Sequence, residues 1–181
     1  MRTSTRPVEQ CAGRGPVTEH TYECEWGVGR FVLAGDLPLR LDLPGTAYVG
    51  LSDVVAKQAA DRLRDQLERY FAGEAVDFGL DLAAYADVHG LTAFESDVYG
   101  ALAAVPYGTA LSYRELAAAA GHPNAYRAAG SVMARNELPL ILPCHRVVRN
   151  DGRLGQYGTD PAWKERLLTL EGVAVHEGRL V

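Results

Sequence analysis

From Thr21 to Leu43 apolar and polar positions alternate: Tyr22, Cys24 and Trp26 share one side, Gly27 and Gly29 supply a turn, and Phe31, Val32 and Leu33 continue the apolar side. A period of two bounded by glycines predicts strands of a small antiparallel sheet. After Ser52, the residues Val55, Ala59, Leu63, Leu67, Tyr70 and Phe71 recur at spacings of three and four until Gly73. That period predicts a helix covering one face of the sheet, its Asp, Arg and Glu turned to water. Val76, Phe78, Leu80 and Leu82 alternate again and predict one more strand, followed by a linker at Val88, His89 and Gly90. Thr92 with Glu95, and Ser112 with Glu115, have the spacing of capping boxes. The first opens a helix with Phe94, Val98, Leu102 and Val105 inward, stopped by Pro106 and Gly108; the second opens a short alanine-rich helix ending at Gly121. Past the turn His122-Pro123, Asn124 is the expected N-cap of a third helix reaching Arg135, and Leu138 to Leu142 is a strand-like apolar run ending at Pro143. The resulting division is a loose leader over 1–18, an α/β N-terminal domain over 19–90 and a mostly helical domain over 91–181.

The 181 residues, 48% of them hydrophobic, are enough for a real core in one or two small domains. No apolar run is long enough to span a bilayer, and Met1 to Pro7 is polar with no apolar stretch behind it, so a cytoplasmic protein without membrane or secretory segments is expected. Cys11, Cys24 and Cys144 are too sparse for a disulfide framework. The net charge of −5 is unevenly spread: residues 1–100 carry −7, 101–170 carry +3 and 171–181 carry −1, so only the C-terminal half is suited to phosphates. No phosphate loop, nucleotide fingerprint or paired catalytic carboxylates appear. Cys11, His20, Cys24 and His89 match no compact ligand spacing, and neither a metal nor a cofactor is expected.

Two short helices joined by a Gly-containing turn form a candidate helix-turn-helix. In the second, Tyr126 and Arg127 precede the small residues Ala128, Ala129, Gly130 and Ser131, which permit close approach to a partner backbone or tight packing on another helix. Cys144 follows Pro143 at the end of an apolar run, where a nucleophile would be held rigidly. An ordinary thiol needs a base or cation beside it to react at neutral pH, and His145 and Arg146 are adjacent, with Glu171 as a third member that orients His145. In an extended chain neighbouring side chains point apart, so His145 is expected to reach the sulfur through a bend or a water.

Pro143-Cys144-His145-Arg146-Val147, with Val105-Pro106-Tyr107-Gly108-Thr109, Ser112-Tyr113, Arg127, Asn136-x-Leu138-Pro139 and Leu167-Leu168-x-x-Glu171-Gly172, closely resembles the O6-alkylguanine-DNA alkyltransferase family. The likeness covers residues 92–175 and extends more weakly to Tyr70-Phe71-Ala72-Gly73-Glu74. It implies a ribonuclease H-like N-terminal fold and a monomer that binds double-stranded DNA from the minor groove, flips an O6-alkylguanine out and moves its alkyl group irreversibly to Cys144. By the same resemblance His145 draws the thiol proton through a water under Glu171, Tyr113 donates to the departing purine, and Arg127 fills the vacated stack. Asn136 holds the turn leading to the active-site strand, and Pro143 shapes the base pocket. Arg146, Tyr126, Ala128, Ser131, Tyr157, Gly158 and Thr159 are counted with the substrate and DNA contacts.

Three places depart from the family pattern. Tyr126 stands where a small residue is usual, Tyr157-Gly158-Thr159-Asp160 replaces a Tyr-x-Gly-Gly loop at the pocket rim, and Glu95, Ser96 and Asp97 make the helix after Phe94 more acidic. Two alternatives stay open: a lesion-binding protein without transfer, and a specialised thiol acceptor or small-molecule thiol enzyme.

Overall fold

The computed structural model describes residues 14–45, 57–158, 160 and 162–181. Met1 to Pro7, Cys11, the helix start at Ser52 and Val55, and Thr159 lie outside the described residues. Strands β1 (Val17–Cys24), β2 (Gly27–Ala34) and β3 (Leu37–Asp42) form an antiparallel meander in the order β1-β2-β3. The first strand starts inside the stretch expected to be leader, because Val17 pairs with Ala34 and the Pro16 carbonyl accepts from Gly35 N at 3.1 Å. One face buries Tyr22, Phe31, Leu33 and Leu41, and helix α1 (Lys57–Phe71) lays Ala60, Leu63, Leu67, Tyr70 and Phe71 into the same core.

The strand expected over Val76 to Leu82 does not form. Residues 74–81 are irregular, and α2 (Leu82–His89) occupies the supposed linker. Val76, Phe78 and Leu80 do pack on the core, which explains their alternation, but helix chemistry takes over at Asp81. The Asp81 carboxylate accepts from Ala84 N at 2.9 Å, and Gly90, at φ 58°, closes the helix in the left-handed region.

Both capping boxes are made in full. They open α3 (Ala93–Ala103) and α4 (Tyr113–Ala119), so two side chains each satisfy backbone groups that a helix start leaves unpaired. Helix α5 (Tyr126–Met133) is capped by Ala125 instead of Asn124, with no side-chain hydrogen bond, and stops two residues short of Arg135. Residues 138–142 are turns and not a strand. Pro139 has no donor for a ladder, Leu140 is left-handed at φ 72°, and the Asn136 side chain takes Leu138 N and the Leu142 carbonyl for itself.

A single 3-10 turn, Cys144–Arg146, leads into β5 (Val147–Val148), which pairs in parallel with β4 (Leu111–Ser112). Helix α6 (Ala162–Leu170) and the hairpin β6 (Val175–His176) and β7 (Arg179–Leu180) complete the chain. The main core is continuous between the two halves: Trp26 meets Trp163 edge-on at 5.4 Å, and Leu41 N donates to the Glu137 carbonyl at 2.8 Å. No helix among the described residues is long and apolar enough to cross a membrane.

Gly29 marks a tight point of the sheet, since a Cβ there would lie 2.2 Å from the Tyr22 ring. That ring is buried and stacked on Phe71, so it has nowhere to go. Gly29→Ala is expected to cost about 1–3 kcal/mol in urea unfolding, the usual penalty for overpacking.

Candidate active site and nucleic-acid face

The 3-10 turn sends successive side chains about 120° apart. Cys144 therefore borders a cleft, while His145 and Arg146 turn into the core onto one carboxylate, that of Glu171 just after α6. Glu171 is buried and accepts from five donors. On Oε1 they are Tyr70 Oη at 2.6 Å, His145 Nε2 at 2.7 Å and Arg146 Nη2 at 2.9 Å; on Oε2, Arg146 Nε at 2.9 Å and Gly108 N at 3.1 Å. Burial alone would raise this carboxyl, but the His145, Arg146 and Tyr70 hydrogen bonds outweigh it and hold the group down at about 2.

Arg146 is thus not a DNA contact. Its remaining donor, Nη1, binds the Val105 carbonyl at 2.6 Å, and the guanidinium is committed inside the protein. A carboxylate only accepts, so the hydrogen bond to Glu171 assigns the proton of the neutral His145 ring to Nε2. Nδ1 is buried with no hydrogen-bond partner among the described residues. Burial lowers the titration of this ring, Glu171 opposes that, and Arg146 and Lys164 add to it. The result is a neutral imidazole with one free lone pair.

The thiol itself is buried, and burial pushes its titration up. Asn136, Tyr157 and Lys164 pull the other way. Asn136 Nδ2 donates to Sγ at 3.0 Å and to the Leu142 carbonyl at 2.8 Å, so one amide both shapes the turn and touches the thiol. Tyr157 places a buried hydroxyl near the sulfur without a regular hydrogen bond. Lys164, 1% exposed, donates to the Val147 carbonyl and stands 5.9 Å from the centre of the Tyr113 ring. Sequence reasoning missed this lysine. The signal was its place with Trp163, Leu167 and Leu168 on the inward side of α6, in a chain with only two lysines.

The cleft beside the thiol has a volume of about 1190 Å³. Tyr113, Gly130, Asn136, Tyr157 and Gly158 line it, and Pro139 stands there instead of Pro143. Pro143 is buried as the cap of the 3-10 turn, its carbonyl accepting from Arg146 N at 3.0 Å. Tyr113 is kept a phenol by burial, and Gly130 of α5 packs against its ring. Helix α5 buries Ala129, Val132 and Met133 and exposes Tyr126, Arg127, Ala128 and Ser131. The guanidiniums of Arg127 and of Arg114, on α4, each lie 5.7 Å from the centre of the Tyr126 ring.

Residues 93–173 match the profile of the 6-O-methylguanine DNA methyltransferase DNA-binding domain. A methylated-DNA–protein-cysteine methyltransferase of Methanosarcina barkeri is 43% identical over 59% of this chain and 64% of its own length. The constitutive one of Bacillus subtilis is 40% identical over 63% of this chain and 67% of its own. The crystal structure of Mycobacterium tuberculosis O6-methylguanine methyltransferase covers 90% of this chain and 96% of its own at 30% identity, with a TM-score of 0.68. This chain belongs to the methylated-DNA–protein-cysteine methyltransferase family. The alignments with the two curated relatives span about two thirds of their length.

Within this family member the buried charges give two expected outcomes. Lys164 is lowered to about 8 from its ordinary 10.5, mainly by burial, so its charge costs the folded state stability that returns as pH rises from 8 toward 10.5. Lys164→Met should melt no lower than wild type at pH 7 and lose that alkaline rise. Its Cys144 should react with iodoacetamide several-fold more slowly, because a cation that favours the thiolate is gone. Glu171 has the opposite sign: its contribution is full above the ordinary carboxyl value of 4.5 and is lost as pH falls from there through about 2. Glu171→Gln leaves Arg146 buried without its counter-charge, so denaturant unfolding at pH 7 should show a loss of about 3–5 kcal/mol and a flatter acid dependence.

Proposed function

We propose that this protein reverses O6-alkylguanine damage in double-stranded DNA by moving the alkyl group to its own Cys144. The observation that carries the reading is the Cys144 thiol at the edge of a cleft, held by Asn136, beside a histidine whose protonated edge is pinned to Glu171 and whose other nitrogen is bare. As the Sγ–C bond forms, the C–O6 bond breaks. The thiol proton passes through one water to His145 Nδ1, and the Tyr113 hydroxyl donates to the guanine as it leaves with the bonding pair. Lys164 and the Asn136 amide stabilise the sulfur while its charge develops. The product is a thioether with no group placed to cleave it, so each molecule acts once and needs no cofactor.

In this reading α4 and α5 act as a helix-turn-helix entered from the minor groove. The small residues Ala128 and Ser131 let α5 approach the backbone, Arg127 fills the gap in the base stack, and Tyr126 packs beside it. Tyr157 and Gly158 border the flipped base. A crystal structure of the Mycobacterium tuberculosis relative in complex with DNA, with a TM-score of 0.66 over 84% of this chain, supports DNA as partner. The N-terminal unit, residues 19–90, is read as a ribonuclease H-like scaffold carried on the same chain as the DNA-binding unit, 91–181. The protein works as a cytoplasmic monomer.

Intact mass after mixing with a duplex bearing one O6-methylguanine tests the transfer. A gain of about 14 Da in the wild type and none in Cys144→Ser is expected from covalent acceptance. Unmodified protein still bound to the duplex would replace this reading with lesion binding. Arg127→Ala should slow repair of the duplex at least about tenfold while its reaction with free O6-benzylguanine stays near wild type, since a stack-filling residue serves only the duplex. Equal losses on both substrates would remove that role.

A further inference from the structure

The relay just described uses Cys144, His145 and Glu171, all from the C-terminal half. One buried polar side chain from the other half meets it. Tyr70, in the last turn of α1, is fully buried and lies edge-on to the rings of Phe71, Tyr107 and His145. Its hydroxyl donates to Glu171 Oε1 at 2.6 Å and stands 3.3 Å from His145 Nε2. With the phenolic hydrogen committed to the carboxylate, the oxygen offers Nε2 only lone pairs. The Nε2 proton then faces two acceptors, Glu171 Oε1 at 2.7 Å and the Tyr70 oxygen, and a bare Nε2 would face no donor there.

Oε1 is also crowded. Tyr70, His145 and Arg146 Nη2 all donate to this single oxygen, so electron density given to the phenol is withheld from the ring. An imidazolium at His145 would need that density. The charged and titratable groups around the ring are Glu171 after α6, Arg146 and Cys144 on its own turn, and Lys164 on α6. Tyr107, from the loop before β4, packs against both Tyr70 and Arg146. Among these only Glu171 favours a charged ring, and Tyr70 tempers it.

We propose that Tyr70 is a positioning residue of the proton relay: its hydroxyl holds His145 in the Nε2-protonated form and, by sharing Glu171 Oε1, keeps the ring neutral and able to accept the thiol proton. The proposal rests on the reading that His145 receives that proton. It makes the N-terminal half a working part of the site. A packing role alone would need the ring of Tyr70 and not its hydroxyl.

The full-length chain is tested in single turnover with free O6-benzylguanine, the rate constant being followed against pH. Protonation of His145 sets the acid limb of that profile. Tyr70→Phe keeps the ring contacts and frees Oε1 for the imidazole, so the acid limb should move upward by about half to one pH unit, with the plateau within about threefold of wild type. A less stable variant loses amplitude, not rate constant, because each folded molecule reacts once. Tyr70→Leu, which also removes the ring, should move the limb the same way. An acid limb at the wild-type position, or a downward shift, in either variant would overturn the proposal whatever the plateau. The parent reading fails separately. If wild-type Cys144 gains no benzyl mass, transfer itself is wrong; if it does, with an acid limb that His145→Ala abolishes and Tyr70→Phe leaves in place, only the role of Tyr70 falls.

Discussion

A carboxylate buried at Glu171 must be surrounded by donors or it will not stay charged, and most of the site follows from how the fold meets that demand. The donors come from three places in the chain: the end of α1, the loop after α3, and the cysteine turn with its histidine and arginine. Each is fixed by satisfying the same two oxygens. Arg146 locks the inward side of the 3-10 turn, and this leaves Cys144 on the opposite side, at the cleft. Gly108 N reaches Oε2 because Gly108 is left-handed, and a Cβ there would approach the Glu171 carbonyl to 3.0 Å. The same anchor joins the halves, reinforced by Tyr107, whose hydroxyl lies 3.0 Å from the Gly73 carbonyl and 3.2 Å from that of Leu170.

The electrostatics divide the labour. Glu171 keeps one edge of His145 protonated, burial and two nearby cations keep the ring neutral, and the thiol is raised by burial yet flanked by Asn136 and Lys164. The resting state is therefore an unreactive thiol poised next to a base. Charge on sulfur becomes favourable only as the proton leaves, which suits the single transfer proposed above. At the outer face, the two guanidiniums around Tyr126 place an aromatic ring and two positive charges where the helix pair is most exposed.

Local chemistry was the most readable part of this sequence. Thr92 with Glu95 and Ser112 with Glu115 announce α3 and α4 because a capping box is complete within four residues, and the period of α1 survives because its partner sheet is built from neighbouring sequence. What failed depended on distant partners. Val76 to Leu82 alternates like a strand, but nothing in the segment says whether a sheet edge is available to it. Leu138 to Leu142 is apolar because it is buried, and its backbone is satisfied by Asn136, a side chain that no pattern of apolar residues reveals. Cys144, His145 and Glu171 were legible as a set through their motifs. Arg146 was misplaced for the same reason, since its motif position carries no record of which way a 3-10 turn sends it. Lys164 and Tyr70 reach the site across the fold, from α6 and α1, and only packing brings them there.

The site depends most directly on the protonation of His145: Glu171 fixes its proton on Nε2, burial and the nearby cations keep the ring neutral, and Nδ1 is bare. Long-range proton–nitrogen NMR of the 15N-histidine-labelled protein at neutral pH reads this directly. The His145 ring is expected to show a pyrrole-type Nε2 and a pyridine-type Nδ1. Two pyrrole-type nitrogens, or the proton on Nδ1, would contradict it.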